Sequence, residues 1–189
     1  GEEGLRLAVD DARSLHWQGN EPTHGTPFLY ALIGRPWKTQ LVVRHICLHE
    51  YTNSAGGLSG NDDSGQLSAW YLWASLGLYP AFPGLRPSVY ILTSPLVEKA
   101  TITLRHARPF RKLRIEAKFD PERGDLNHSS FIWAVYLNGL GLDRAWITHD
   151  ELLGAENLTF VLGTTPNTSF GALTPPPEFL FNGKGAPCP

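Results

Sequence analysis

The stretch "GNDDSGQLSAWYLWASLGLYP", Gly60 to Pro80, sets two acidic residues against the start of the greasiest run in the chain. Asp62 and Asp63 stand one turn ahead of Leu67, Trp70, Tyr71, Leu72 and Trp73. From Gln66 to Leu78 the residues are apolar nearly all round, the pattern of a helix covered by neighbours on several sides. Ahead of it, Gly56, Gly57, Ser59 and Gly60 read as a flexible loop, and Asn61 to Ser64 supply capping side chains. A carboxylate there is held ionised by free backbone N–H groups and by the helix dipole. One cap serves one helix, so two adjacent acids leave one over for use as a general base. Residue types alone leave two readings open: a pair of caps, or a cap and a base.

Outward from this helix, the first part of the chain keeps a helical period. Leu5, Ala8, Val9, Ala12 and Leu15 lie at helical spacing, and Pro36 suits the first turn of a helix from about Trp37 to His49. The character changes near Pro83–Pro87, after which the period drops to two. Arg111 to Phe119 alternates, with Leu113, Ile115, Ala117 and Phe119 on one face. Ser88–Leu92, Thr101–Leu104, Phe131–Leu137 and Leu158–Leu162 read as further strands between Gly, Pro and Asn turns. The expectation is an α+β chain: helical over 1–86, antiparallel and sandwich-like over 87–174, with a loose Pro- and Gly-rich tail at 175–189.

The totals remove several function classes. At 189 residues, 42% apolar and 18% charged, the chain has the make-up of a folded protein with one good core or two small ones. A net charge of −2 without a basic run gives no electrostatic case for nucleic acid or an anionic membrane. No apolar stretch reaches the roughly 18 residues that span a bilayer. The chain opens on Gly1 without a signal peptide, which reads as processed or cut from something larger. Three of its eight asparagines head glycosylation sequons (Asn127-His-Ser, Asn157-Leu-Thr and Asn167-Thr-Ser), and they point to secretion, the secretory pathway or a periplasm. Cys47 lies in an apolar helical pattern and reads as a buried free thiol; with Cys188 it makes no disulfide framework.

A second polar knot is "HWQGNEPTHGTPFLYALIG", His16 to Gly34. Asn20, Glu21, Thr23 and His24 crowd into a loop beside Trp17. Glu21 can serve as a hard-oxygen ligand for a cation such as Ca²⁺, helped by turn carbonyls, although one carboxylate is a thin cage. Trp17 suits either a sugar-stacking platform or a core position. In "HICLHEY", His45 and His49 project from one helix face as a zinc pair would, but no third ligand accompanies them and the H-E-x-x-H order is absent. Structural histidines are the competing reading. The chain has no G-x-S-x-G elbow and no phosphate-binding glycine loop. Gly139-Leu-Gly-Leu-Asp-Arg stops short of a dinucleotide fingerprint, so serine-hydrolase and nucleotide chemistry drop out.

Taken together, "GNEP", "FLY", "GRPWKTQ", "GNDDSGQLSAWY" and "LGLYPAFPG" resemble glycoside hydrolase family 92, the Ca²⁺-dependent, inverting exo-α-mannosidases. The resemblance continues through "YILTSPLVEKATITL", "LNG", "WITHDELL" and "LTFVLGTTPN", nearly the whole chain. It implies an N-terminal β-sandwich and a catalytic (α/α)₆ toroid, of which residues 1–86 supply a part. It further implies Asp63 as general base with Asn61 and Asp62 auxiliary, Glu21 as calcium ligand with the Asn20 carbonyl nearby, and Trp17 and His24 beside the sugar. Some members carry a second aspartate where this chain has Asn61; an amide there holds water but adds no negative charge. Sugar hydroxyls and waters completing the calcium shell would make a single protein carboxylate sufficient.

One part is missing from the pattern. The family's general acid is a glutamate upstream of "GNEP", beyond the start of this chain, and Glu2 and Glu3 sit in no matching motif. The resemblance therefore implies the C-terminal portion of a secreted α-mannosidase acting on terminal α-mannose of glycans, N-glycans among them. It would carry the base and the calcium ligand and be poorly active alone. The missing N-terminal part, or self-association, is the implied partner, because each uncovered Leu or Trp forfeits roughly 1.5–3 kcal/mol of a net stability of roughly 5–15 kcal/mol. A non-catalytic, mannose-binding or structural remnant of such an enzyme is the alternative.

Overall fold

A computed structural model of the chain describes residues 16–81, 87–104, 111–119, 130–174 and 176. The helical pattern at Leu5–Leu15, the break at Pro83, the Asn127 sequon, Cys188 and the tail other than Pro176 lie outside the described residues.

Two 3₁₀ turns, Glu21–Thr23 and Thr26–Phe28, lead into α1 (Leu29–Leu32) and α2 (Pro36–His49). Pro36 occupies the first turn of α2, where its missing N–H has no intrahelical partner to lose. Val42, Val43, Ile46 and Cys47 of α2 are buried, and burial pushes the free Cys47 thiol up to about 12. Helix α3 (Gln66–Ser75) is shorter than its apolar run. Gly77 ends it at φ 79°, and Leu78–Pro80 departs as strand β1. A left-handed glycine is the common helix terminator, and this one also lies close against the Thr93 carbonyl, where a Cβ would come within 2.8 Å. Leu67, Trp70 and Ala74 of α3 are buried, whereas Tyr71 and Leu72 are exposed. The expected cover on several sides is thus present on one face, and the other stays open among the described residues.

Strand β1 pairs with β2 (Val89–Leu92), which pairs with β7 (Trp146–Thr148), all antiparallel. This small sheet joins the helical part to the strand-rich part, since β1 precedes the compositional break and β2 follows it. Adjacent residues of β2 face opposite ways. Ile91 packs with Phe28, Val43, Ile46 and Trp70, while Leu92 packs with Leu113, Ile115 and Phe160 in the second core.

The second sheet has five strands in the order β3 (Lys99–Leu104), β4 (Arg111–Phe119), β8 (Asn157–Gly163), β5 (Phe131–Leu137) and β6 (Leu140–Leu142). Leu113, Ile115 and Ala117 are buried, as the alternation predicts, beside Leu158, Phe160 and Leu162 of β8. On the wet face Glu116 meets Lys99 at 3.4 Å and Lys118 at 3.2 Å. One expectation is corrected: β4 and β8 run parallel, Arg114 opposite Asn157 through Phe119 opposite Leu162, so the sheet is mixed and not purely antiparallel. The short helix α4 (His149–Gly154) brings the chain back to the start of β4. There the Arg114 N–H reaches the Glu156 carbonyl at 2.8 Å, and β8 sets off beside β4 in the same sense.

Gln40 ties α2 to this sheet. Fully buried, it accepts the Ile132 N–H at 2.9 Å, where β5 is irregular between Ile132 and Ala134. Of the two described sequons, Asn157 is exposed at the start of β8. Asn167 is a turn residue: its Oδ1 accepts from Ser169 N, Ser169 Oγ and Phe170 N, and its Nδ2 donates to the Trp133 carbonyl at 3.2 Å.

Candidate active site

The first acidic residue sits on a tightly wound turn. The Trp17 carbonyl accepts from Asn20 N at 3.0 Å and from Thr23 Oγ1 at 2.8 Å. The Asn20 carbonyl accepts from Thr23 N at 2.9 Å and from Thr23 Oγ1 at 2.8 Å. Pro22 sets the pitch of the 3₁₀ turn, and the Glu21 side chain projects from it. Thr23 Oγ1 has a single hydrogen for these two carbonyls, so the Asn20 oxygen holds one full bond, from Thr23 N.

The second acidic pair is separated by backbone strain. Asp63, Ser64 and Gly65 take φ values of 42°, 65° and 91°, three consecutive left-handed residues directly ahead of α3. Such angles are costly for non-glycine residues and persist only where the surroundings enforce them. The turn they make folds Asp62 back over the helix start. Asp62 Oδ1 accepts Ser68 N at 2.9 Å and Oδ2 accepts Ser68 Oγ at 2.8 Å, and these bonds hold its carboxyl below the usual range. Asp62 is the cap. Asp63 is left exposed, in hydrogen-bonding contact with Glu21, whose carboxylate raises the Asp63 pKa. The Glu21 pKa is lowered by its own backbone N–H and by the bond from Asp63. The two motifs, 42 residues apart, thus meet carboxyl to carboxyl.

Backbone packing brings them together. A Cβ on Gly60 would fall 2.9 Å from Gly19 Cα, and one on Gly19 would fall 2.5 Å from the Ser59 carbonyl. Only two glycines can cross this closely. Below the crossing lies a buried polar network that the sequence pattern did not reveal. Gln18, 1% exposed, donates to Tyr51 Oη at 2.7 Å, and Tyr51 donates to the Leu67 carbonyl at 3.2 Å. His24 is 2% exposed, with Nε2 on the Gln18 carbonyl at 2.9 Å and Nδ1 against Gln66 Nε2 at 3.3 Å. Both ring nitrogens are committed to the protein, so His24 lies under the site and not on its open side. Trp17 is 62% exposed, with its ring close beside Gly19. Asn61 is exposed one residue before the cap.

The His45–His49 pair does not form a metal site. The rings stack at 4.1 Å and His49 Nδ1 donates to the His45 carbonyl at 2.8 Å. Among the described residues no group of three or more His, Cys, Asp or Glu side chains could hold a metal ion. The same observation bears on a hard cation at Glu21. Two adjacent carboxyl groups suit it in charge and donor type, and water or ligand hydroxyls must complete its shell.

Two neighbouring carboxyl groups of opposed pKa shift, with an exposed indole ring on the same loop as one of them, accord with a glycoside hydrolase, in which carboxyls move protons. Residues 7–164 match the glycosyl hydrolase family 92 catalytic domain, and the chain belongs to that family. It is similar to a family 92 α-mannosidase of Bacteroides thetaiotaomicron solved with mannoimidazole, with 31% identity, a TM-score of 0.77, and 86% of this chain and 20% of that one covered. An inverting family 92 mannosidase of the same organism is 31% identical with a TM-score of 0.71, over 88% of this chain and 21% of that one. A protein of Arthroderma benhamiae described as an uncharacterized secreted glycosidase is 28% identical over 150 residues, 77% of this chain and 18% of its own length. The chain thus spans about a fifth of the relatives it matches. Among the described residues no helix is long and apolar enough to cross a membrane.

Proposed function

We propose that this chain carries the water-activating and cation-holding part of an inverting α-mannosidase centre, acting on terminal α-mannose of glycans in the secretory pathway or outside the cell. Helices α2 and α3 would belong to its (α/α)₆ toroid. The observation that carries the reading is the contact of Glu21 with Asp63, two residues from separate motifs placed on an accessible face. Asp63, once ionised, takes a proton from water, and that water attacks the anomeric carbon from the side opposite the leaving oxygen. Glu21 holds negative charge at its side, and Trp17 offers a ring face to the sugar. Calcium bound at Glu21 would supply the positive charge that grips vicinal hydroxyls of mannose and relieves the repulsion between the two carboxyls.

Distance argues against Glu21 as the second member of the acid–base pair. An inverting pair stands roughly 6.5–9.5 Å apart to admit water, whereas these two carboxyls lie near enough to shift each other's proton binding. The acid then comes from polypeptide outside this chain, and this chain alone turns over slowly or not at all. Release of free mannose from an α-mannoside, followed with and without a chelator, tests the reading. Calcium-dependent hydrolysis that requires added upstream polypeptide supports it; robust turnover indifferent to chelation refutes it.

A further inference from the structure

The two acidic loops are held in register by more than the glycine crossing. A backbone carbonyl can only accept, so the His24 ring must donate to the Gln18 carbonyl through Nε2, leaving Nδ1 as the acceptor for Gln66 Nε2. His24 closes the turn that bears Glu21, its N–H on the Glu21 carbonyl at 3.0 Å and its own carbonyl taking Trp70 Nε1 at 3.0 Å. Gln66 opens α3, three residues after Asp63. The bond between them therefore links one acidic loop to the other, each end three residues from a carboxyl group.

We infer that His24 and Gln66 form a positioning pair that sets the approach of Glu21 to Asp63, and so governs cation binding at Glu21 without either residue touching the ligand. This rests on the proposed calcium role of Glu21. Gln66 is exposed, so its replacement removes a hydrogen bond without opening a cavity. Its isosteric variant Gln66→Glu keeps the shape and loses the N–H. At position 24, His24→Asn retains an acceptor where Nδ1 stands, whereas His24→Gln retains only the arm that reaches the Gln18 carbonyl.

Calcium chloride is titrated calorimetrically into each full chain with methyl α-mannoside present, and melting is recorded without metal. Q66A and H24Q are expected to bind calcium several-fold more weakly than wild type, because the bond joining the two acidic loops is lost, whereas Q66E adds a negative charge beside them and reports on folding alone. H24N should bind close to wild type, and the metal-free melting temperatures of Q66A and Q66E should stay near the parent's. Wild-type affinity in Q66A overturns the inference, as does a loss that only follows falling melting temperature. A wild-type chain that binds no calcium with methyl α-mannoside present overturns the calcium role proposed for Glu21, and this inference with it.

Discussion

Substituting Gly60 by alanine tests the spacing of the site by the smallest available wedge. Gly60 takes no left-handed angle, so a Cβ adds steric bulk without backbone strain. That atom would stand 2.9 Å from Gly19 Cα and 3.0 Å from the Gly19 carbonyl oxygen, where ordinary contact begins at 3.4 Å. Both neighbours are backbone, so no side chain can swing away, and the loops must part by about half an ångström. Misplacing a reacting group by about 1 Å costs on the order of 10²-fold, so roughly a tenfold loss of turnover is expected, with roughly 1–3 kcal/mol of overpacking as the upper bound on stability. Gly25→Ala is the control, since nothing lies within 4 Å of its Cβ. The assay is mannose release by the assembled enzyme, with melting followed in parallel. Unchanged turnover in G60A would refute the idea that this crossing meters the distance between Glu21 and Asp63.

The remaining predictions concern charge and packing. Glu21 holds the Asp63 pKa up, so Glu21→Gln should let Asp63 ionise at lower pH, read by carboxyl ¹³C titration; an unmoved midpoint would dissociate the two groups. The Asp62 pKa is depressed by Ser68, so its bonds stabilise the fold above the ordinary carboxylate range and fade as pH falls through the folded-state value. The melting temperature of Asp62→Asn should therefore lie below wild type at neutral pH and converge with it in acid. Trp70, 2% exposed beneath the site, should cost about 3–5 kcal/mol when replaced by alanine, measured by denaturant unfolding.

Much of this was legible before any coordinates. The period of two located β4 and its buried face, and Pro36 located the start of α2. Two adjacent acids allowed a cap and a spare, and hydrogen bonding assigned Asp62 to the first part. What escaped the sequence was non-local. Nothing in the strand patterns tells that β8 inserts between β4 and β5, because alternation marks faces and not neighbours. The end of α3 was signalled by Gly77 but outweighed by the apolar residues beyond it. His24 was placed beside a sugar only by the family resemblance, and its burial and the two bonds to its ring had no sequence signal. Gln18 and Gln66 carried no local signal.

The central place of β8 has a consequence for biosynthesis. Strand β4 can pair with β3 once both have emerged, but its other edge, and the facing edge of β5, wait until Asn157–Gly163 has left the ribosome. Between the emergence of β4 and that of β8 the nascent chain therefore carries unpaired strand edges beside exposed apolar faces, the condition in which chaperones are engaged, and β8 is the late point of commitment for this sheet.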